Sequence, residues 1–322
     1  MRKKRLTAAI IFVAVLVVFI VFVTALVTPK RSDYGCLWKQ FGEEDKNSLD
    51  VMYFGSSISY CDIIPARIYS ETGMTSFVMA GPVLSMAETY YYVREALKTQ
   101  SPQLVMVEVS ALFFENIENY DLVNVGYMPF GENKLGAMIS SMPASQWVNV
   151  LFPLYAYHNR WNSLEKNDFE RVLKGYEPDT LAGYTLLTKA EAYPDVTLKD
   201  EVTDSEKIDT AADYLRKITE LCNEGGINLV LYLSPRRNYH SEQNTAYLMN
   251  LVTDLQAEFI DFDTAATEMG IDPQTDYYDR SHLNYSGACK FSDYLGEYLS
   301  ALVTHNAEED SVLWQERINV LP

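Results

Sequence analysis

Five short apolar runs, each closed by small or turn-forming residues and set apart by helix-length segments, constrain this chain more than any other feature. Residues 50–54 (DVMYF) lead into Gly55, Ser56 and Ser57; residues 75–80 (TSFVMA) end at Gly81. Residues 103–110 (QLVMVEVS), 228–233 (NLVLYL, stopped by Ser234 and Pro235) and 259–262 (FIDF) complete the set. Apolar character on both faces, rather than strict alternation, marks strands covered on two sides. Helical patterns at 65–72, 85–99, 207–223, 241–257 and 285–303 accompany the runs. This rhythm predicts an α/β, three-layer, doubly wound and mostly parallel sheet. Ligands of such sheets bind beyond the carboxyl ends of the strands, where Ser57, Gly81 and Ser110 fall.

The pattern is lost between about residues 111 and 205, an aromatic-rich stretch that reads as a largely helical insertion over the sheet edge. The expected organisation is a core domain at 48–305 carrying that insertion, with a tail at 306–322. Tyr90, Tyr91 and Tyr92 fall on a helix and read as packing residues.

Residues 7–27 (TAAIIFVAVLVVFIVFVTALV) carry no charge. As a helix they are about 30 Å long, the thickness of a hydrocarbon core. Arg2, Lys3, Lys4 and Arg5 lie just before them. Such flanking charge holds residues 1–6 in the cytoplasm and places the remaining chain outside. Val23 and Ala25 also fit a signal-peptide cleavage rule, but the run exceeds the usual apolar segment of about 7–15 residues, which favours an uncleaved anchor. Residues 28–47 read as a stalk, or a first helix leading away from the bilayer.

Six of the 26 basic residues precede Asp33, so 20 remain beyond it against 44 acidic ones, a formal balance of −24. A surface of that sign repels phosphate backbones and argues against nucleic acid as a partner. Cys36, Cys61, Cys222 and Cys289 form no CxxC pair, and the four histidines show no HxxxH or HExxH spacing. No metal site is expected, and the cysteines read as free, partly buried thiols unless one or two bridges form outside the cell.

A serine hydroxyl becomes a nucleophile when a histidine takes its proton and a carboxylate fixes the histidine tautomer. Ser57 follows the first strand; Asp279 and His282 lie in YYDRSHLN just ahead of the last helix, at a spacing that lets the carboxylate curl back onto the imidazole. Each piece alone is common, but their joint placement in one α/β domain points to nucleophilic acyl chemistry. In YHNRW of the insertion, His158, Arg160 and Trp161 combine groups that line glycan sites, although a satisfied histidine in an aromatic core is the commoner outcome. Arg236 and Arg237 follow the fourth strand, where a cation can meet an anionic substrate and a solvated loop is the ordinary alternative.

With these residues the chain resembles the SGNH/GDSL hydrolase superfamily. Gly55, Ser56 and Ser57 stand where that family has glycine, a small or acidic residue and the nucleophile. Gly81 stands at the second block, and Asp279, Arg280, Ser281 and His282 read as its DxxH. The resemblance covers about 50–111 and 208–302 and implies a flavodoxin-like SGNH fold, catalysis by Ser57, Asp279 and His282, and an oxyanion hole from the amides of Ser57 and Gly81. The family's third-block Asn is missing, with Ser110 or Asn116 as substitutes. Loss of one oxyanion donor costs about 10²–10³ in rate, which leaves room for a transferase.

A narrower resemblance is to the membrane-anchored subset containing teichoic-acid D-alanine transfer and alginate O-acetylation proteins. It rests on the anchor, GSS in place of GDS, the third-strand pattern of Pro102, Leu104, Val105, Glu108 and Val109, the helical insertion, and HLNxxG (His282, Leu283, Asn284, Gly287). It implies an esterase or O-acyltransferase at the outer face of the cell membrane, acting on small acyl esters of cell-envelope polymers beside a membrane-bound O-acyltransferase and needing no cofactor. The alternative is an accessory protein that keeps the fold and only docks the acyltransferase or the polymer.

Overall fold

The computed structural model describes residues 2–29, 37–114, 118–175, 180–191, 204–236, 241–304 and 312–322. Its centre is a five-stranded parallel sheet of β1 (Val51–Gly55), β2 (Ser76–Ala80), β3 (Leu104–Glu108), β4 (Asn228–Leu233) and β5 (Glu258–Asp261). The spatial order is β2-β1-β3-β4-β5, with Phe54 aligned between Met79 and Val107. The winding direction reverses between β1 and β3, and crevices form at such switch points.

Alternate side chains explain both cores. Val51, Tyr53, Val78, Met106, Val230 and Tyr232 face one layer, where Ile68, Phe291 and Leu295 come from the helices Pro65–Thr72 and Tyr285–Ser300. Met52, Phe54, Phe77, Val105, Val107 and Leu231 face the other, with Met86, Val93, Leu215 and Leu248 from Met86–Ala96, Ser205–Gly225 and Glu242–Leu255. Every residue of β1, β2 and β3 is buried, as expected of strands covered on two sides.

The N-terminal helix Arg2–Val27 leaves its apolar side chains exposed from Leu6 to Phe22 and is long and apolar enough to cross a membrane. The insertion is helical, with Glu118–Gly126, Glu132–Ser141, Trp147–Leu151, Pro153–Tyr157 and Lys166–Lys174. In the tyrosine run, Tyr92 is buried and donates to the Asn124 carbonyl at 2.9 Å, while Tyr90 and Tyr91 pack on Tyr214.

Three segments depart from expectation. Ser57 does not lie in a loop; it opens a short helix, Ser57–Asp62. Within the expected stalk, Leu37–Phe41 docks into the core, with Trp38 edge-on to Tyr92 and Phe41 edge-on to Phe77. The expected tail contains the helix Val312–Asn319, whose Trp314 stacks on Tyr69 at 4.8 Å and whose buried Arg317 pairs with Glu44. The last two segments are short, and one or two aromatic anchors carry too little periodicity to reveal the docking.

Ser85 and Glu88 form a capping box at the start of Met86–Ala96, each side chain accepting from the other's backbone N–H. Burial, with the Asp121 charge nearby, pushes the Glu88 carboxyl up to about 8. The folded protein therefore holds a proton that the unfolded chain releases, and raising the pH from about 4.5 to about 8 favours unfolding. Glu88→Gln keeps the cap and removes the titration. Thermal unfolding of the detergent-solubilised chain should show wild type losing on the order of a few kcal/mol over that range, and Glu88→Gln much less. Equal pH profiles would contradict this.

Candidate active site

The residues singled out at the two ends of the domain meet at the carboxyl end of β1. Ser56 is fully buried, and its Oγ caps the short helix by accepting from Ile58 N–H at 3.4 Å. Ser57, half-buried, is left facing outward, and its Oγ lies 2.8 Å from His282 Nε2. The turn before them needs glycine. A Cβ on Gly55 would sit 2.4 Å from Ser59 Oγ and 2.7 Å from Glu108 Cβ.

The Asp279 to His282 loop is held by the backbone on either side. Tyr277 and Leu283 form an antiparallel bridge, and Tyr278 N–H donates to the His282 carbonyl at 2.9 Å. Inside that turn Asp279 Oδ1 accepts from the N–H groups of Ser281 and His282 at 2.7 and 3.0 Å. The same carboxylate reaches His282 Nδ1 at 2.9 and 3.0 Å, which leaves Nε2 for Ser57. Partial burial raises the Asp279 carboxyl, but the hydrogen bond and charge of His282 and the two backbone donors outweigh it, so the group rests below the usual carboxylate range. The side chains of His282 and Asp279 are 20% and 40% exposed, so a reactant can reach them.

The HLNxxG pattern has a packing explanation. Asn284 caps the helix Tyr285–Ser300, its Oδ1 accepting from Gly287 N–H at 3.2 Å. A Cβ on Gly287 would lie 2.3 Å from the Asp276 carbonyl, so only glycine lets the helix approach the loop this closely. Tyr277 then donates to the Pro235 carbonyl at 3.1 Å and ties the loop to the end of β4.

Beneath the site lies a polar network in which Asp62, not singled out by the residue patterns, joins Glu108, Ser110 and Arg236. Asp62, fully buried at the end of the Ser57 helix, accepts from Leu283 N–H at 2.9 Å. Its carboxyl is driven well above the ordinary range by burial, and Glu108 adds to this while Arg236 opposes it. Glu108 is likewise raised by burial and accepts from Ser110 N–H and Oγ at 3.2 and 2.5 Å. Arg236 is 4% exposed, with Nη2 3.5 Å from Ser281 Oγ, one residue before His282. Expected either to meet an anionic substrate or to lie in a solvated loop, Arg236 is instead buried, and its charge acts on both Asp62 and Glu108.

The other expected donors fall as follows. Gly81 N–H continues the β1–β2 ladder, donating to the Gly55 carbonyl at 3.3 Å. Ser57 N–H opens its helix and by position has no intrahelical acceptor. Ser110 Oγ is taken up by Glu108, and Asn116 and Arg237 lie outside the described residues. Asn124, overlooked in the sequence, packs against Gly81, whose Cβ would meet its Oδ1 at 2.4 Å. A small cavity of about 140 Å³ at the ends of β3, β4 and β5 is lined by Ser110, Ser234, Arg236 and Asp261. A larger cleft of about 470 Å³ runs between Met86, Leu112, Ser140 and Tyr214.

His158, Arg160 and Trp161 are not brought to Ser57. Their segment packs on the end of the N-terminal helix. Arg160 donates to the Val27 carbonyl at 2.8 Å and pairs with Asp168; His158 Nδ1 lies 2.7 Å from the Tyr155 carbonyl, and Trp161 is exposed.

No family model and no curated protein matches the chain. Among solved structures it is similar to an acetyl xylan esterase, AlAXEase, with 12% identity and a TM-score of 0.39, over 77% of this chain and 98% of that one.

The Asp62 bond gives a direct test of what holds the loop. Asp62→Ala leaves the buried Leu283 N–H without its acceptor and should cost roughly 1–3 kcal/mol of stability. Asp62→Asn keeps an acceptor and should cost much less, because the native carboxyl is already driven toward its neutral form. Urea unfolding of the three proteins at neutral pH checks the order; equal losses would show that the bond is not what matters.

Proposed function

We propose that this chain is a membrane-anchored, extracytoplasmic serine esterase or O-acyltransferase of the SGNH/GDSL type, acting on small acyl esters of cell-envelope polymers. The continuous hydrogen-bonded line from Ser57 Oγ through His282 to Asp279 carries the reading. Ser57 Oγ attacks the acyl carbonyl as His282 Nε2 takes its proton, and Asp279 holds the Nδ1 proton and balances the imidazolium. The amide of Ser57 faces the developing oxyanion, with Gly81 N–H as a second donor if it turns from Gly55. His282 then protonates the departing alkoxide. Water or a polymer hydroxyl, deprotonated by His282, takes the acyl group from Ser57 and regenerates the enzyme.

The full chain treated with a fluorophosphonate should gain one adduct on Ser57. Ser57→Ala should abolish the adduct, Ser56→Ala should retain it, and His282→Ala should slow labelling by roughly 10³-fold or more. A folded wild-type protein that stays unlabelled favours a non-catalytic accessory role. Incubation with an acyl ester, with and without an envelope glycan, separates the two activities. Free acid released equally in both, with no acylated glycan, would exclude transfer.

The geometry also favours an uncleaved anchor. Arg171 Nη2 donates to the Ala25 and Thr28 carbonyls at 2.7 and 2.8 Å, Arg160 takes the Val27 carbonyl, and Leu26 and Val27 are buried. Cleavage after Ala25 would remove the Ala25 carbonyl and leave the Val27 and Thr28 carbonyls on a free chain end instead of a helix end. N-terminal analysis of the protein from membranes should find residues preceding Thr7; a start shortly after Ala25 would overturn the anchor.

A further inference from the structure

We propose that the insertion forms a second membrane contact beside the anchor, with Phe152, Tyr155, Trp161, Phe169 and Leu173 seated in the interfacial region of the extracytoplasmic leaflet. The inference rests on the reading of the N-terminal helix as a span. That helix touches three segments of the insertion, Pro153–Tyr157, His158–Asn162 and Lys166–Lys174. Burial is confined to its end, at Leu26 and Val27, while its side chains from Leu6 to Phe22 are exposed. The three segments therefore lie at the depth where the span leaves the hydrocarbon.

Their end of the span is capped by protein. Arg160 and Arg171 occupy the carbonyls of Ala25, Val27 and Thr28, and Asp168 holds both guanidinium groups. The insertion is thereby fixed to the helix rather than tethered near it. Around this junction Phe152, Tyr155, Trp161, Phe169 and Leu173 are 61%, 60%, 71%, 44% and 78% exposed. Large apolar groups crowded in this way mark a contact surface, and tryptophan and tyrosine favour the head-group level of a bilayer.

Local geometry fits a lipid surface. Phe169 and Leu173 are four residues apart, on one side of their helix, while Asp168 and Arg171 are buried against the span end. Lys166 and Lys174 are 86% and 74% exposed on the same helix, and their long stems can carry charge up to phosphate groups. The remaining surface is strongly acidic and suits no broad electrostatic adhesion. Apolar insertion next to the span is the contact left to it. Two attachments restrict the tilt of the domain and hold Ser57 at a set height above the bilayer.

The test uses the full chain in phosphatidylcholine vesicles, with Cys36→Ser and Cys289→Ser as background and one environment-sensitive fluorophore per protein. Leu173→Cys and Phe152→Cys report the proposed contact, Val17→Cys reports the span, and Met249→Cys, on an exposed site of Glu242–Leu255, reports water. The Leu173 and Phe152 probes should shift to shorter wavelength and be quenched by shallow spin-labelled lipid, Val17 by deep label, and Met249 by neither. Deep quenching at Val17 with water-like emission at Leu173 and Phe152 would overturn the second contact and leave the anchor standing. Absence of quenching at Val17 would overturn both. Protection of Leu173 and Phe152 in native membranes but not in lipid vesicles would assign the surface to a protein partner and also overturn the proposal.

Discussion

The hydrogen bond from Leu283 N–H to the buried Asp62 carboxyl is the point on which the site depends. Ser57 and His282 are separated by most of the domain, and the sheet alone fixes only Ser57, through the end of β1. His282 is carried by a loop between β5 and the helix Tyr285–Ser300. That loop is brought to Ser57 because the residue after His282 is bonded to the helix that Ser57 opens. A full negative charge at Asp62 would be expensive in this surrounding, and burial accordingly favours the neutral carboxyl. A neutral carboxyl still accepts from Leu283 N–H, so the bond does not require the charge.

Much of this was legible in the sequence because parallel strands and their terminators are local signals. The run at 228–233 matches β4 residue for residue, and the other runs differ from their strands by a few residues at the ends. The spacing of Asp279 and His282 was also readable, since the turn that joins them is closed within residues 277–283. The short helix at Ser57 was not. Six residues reading SISYCD have no helical repeat, and their helix is set by the Ser56 cap and by burial against the helix Tyr285–Ser300. The same reason hid Asp62 and the part Glu108 plays beside it. A lone acid at a strand or helix end looks solvated in sequence, and only the fold reveals that it is fully buried.

The residues around His158 are the converse case, in which a suggestive composition has another cause. An aromatic, an imidazole and a guanidinium side by side resemble a sugar site. In the structure Arg160 instead terminates a helix that begins more than a hundred residues earlier. Carbonyls at a helix end need donors, and cations there also meet the negative end of the dipole. The insertion supplies two buried or half-buried arginines for this purpose, with Asp168 held below its ordinary range between them.

That clamp bears on the site because the insertion also reaches it. Residues 180–191 run from the insertion across the edge of β2, where the Ala182 carbonyl accepts from Val78 N–H at 3.0 Å. Thr185 N–H then donates to the Tyr60 carbonyl at 2.7 Å, in the helix that Ser57 opens. Tyr285 N–H donates to the Leu187 carbonyl at 2.6 Å and Glu191 N–H to the Tyr277 carbonyl at 2.9 Å, on either side of the His282 loop. One extended segment thus bonds to both halves of the candidate site, and its parent insertion grips the end of the N-terminal helix. Main-chain bonds of this kind transmit position without consuming the side chains that chemistry needs. The insertion is therefore better understood as the bracket that joins the N-terminal helix to the Ser57 and His282 elements than as a lid added over a finished domain.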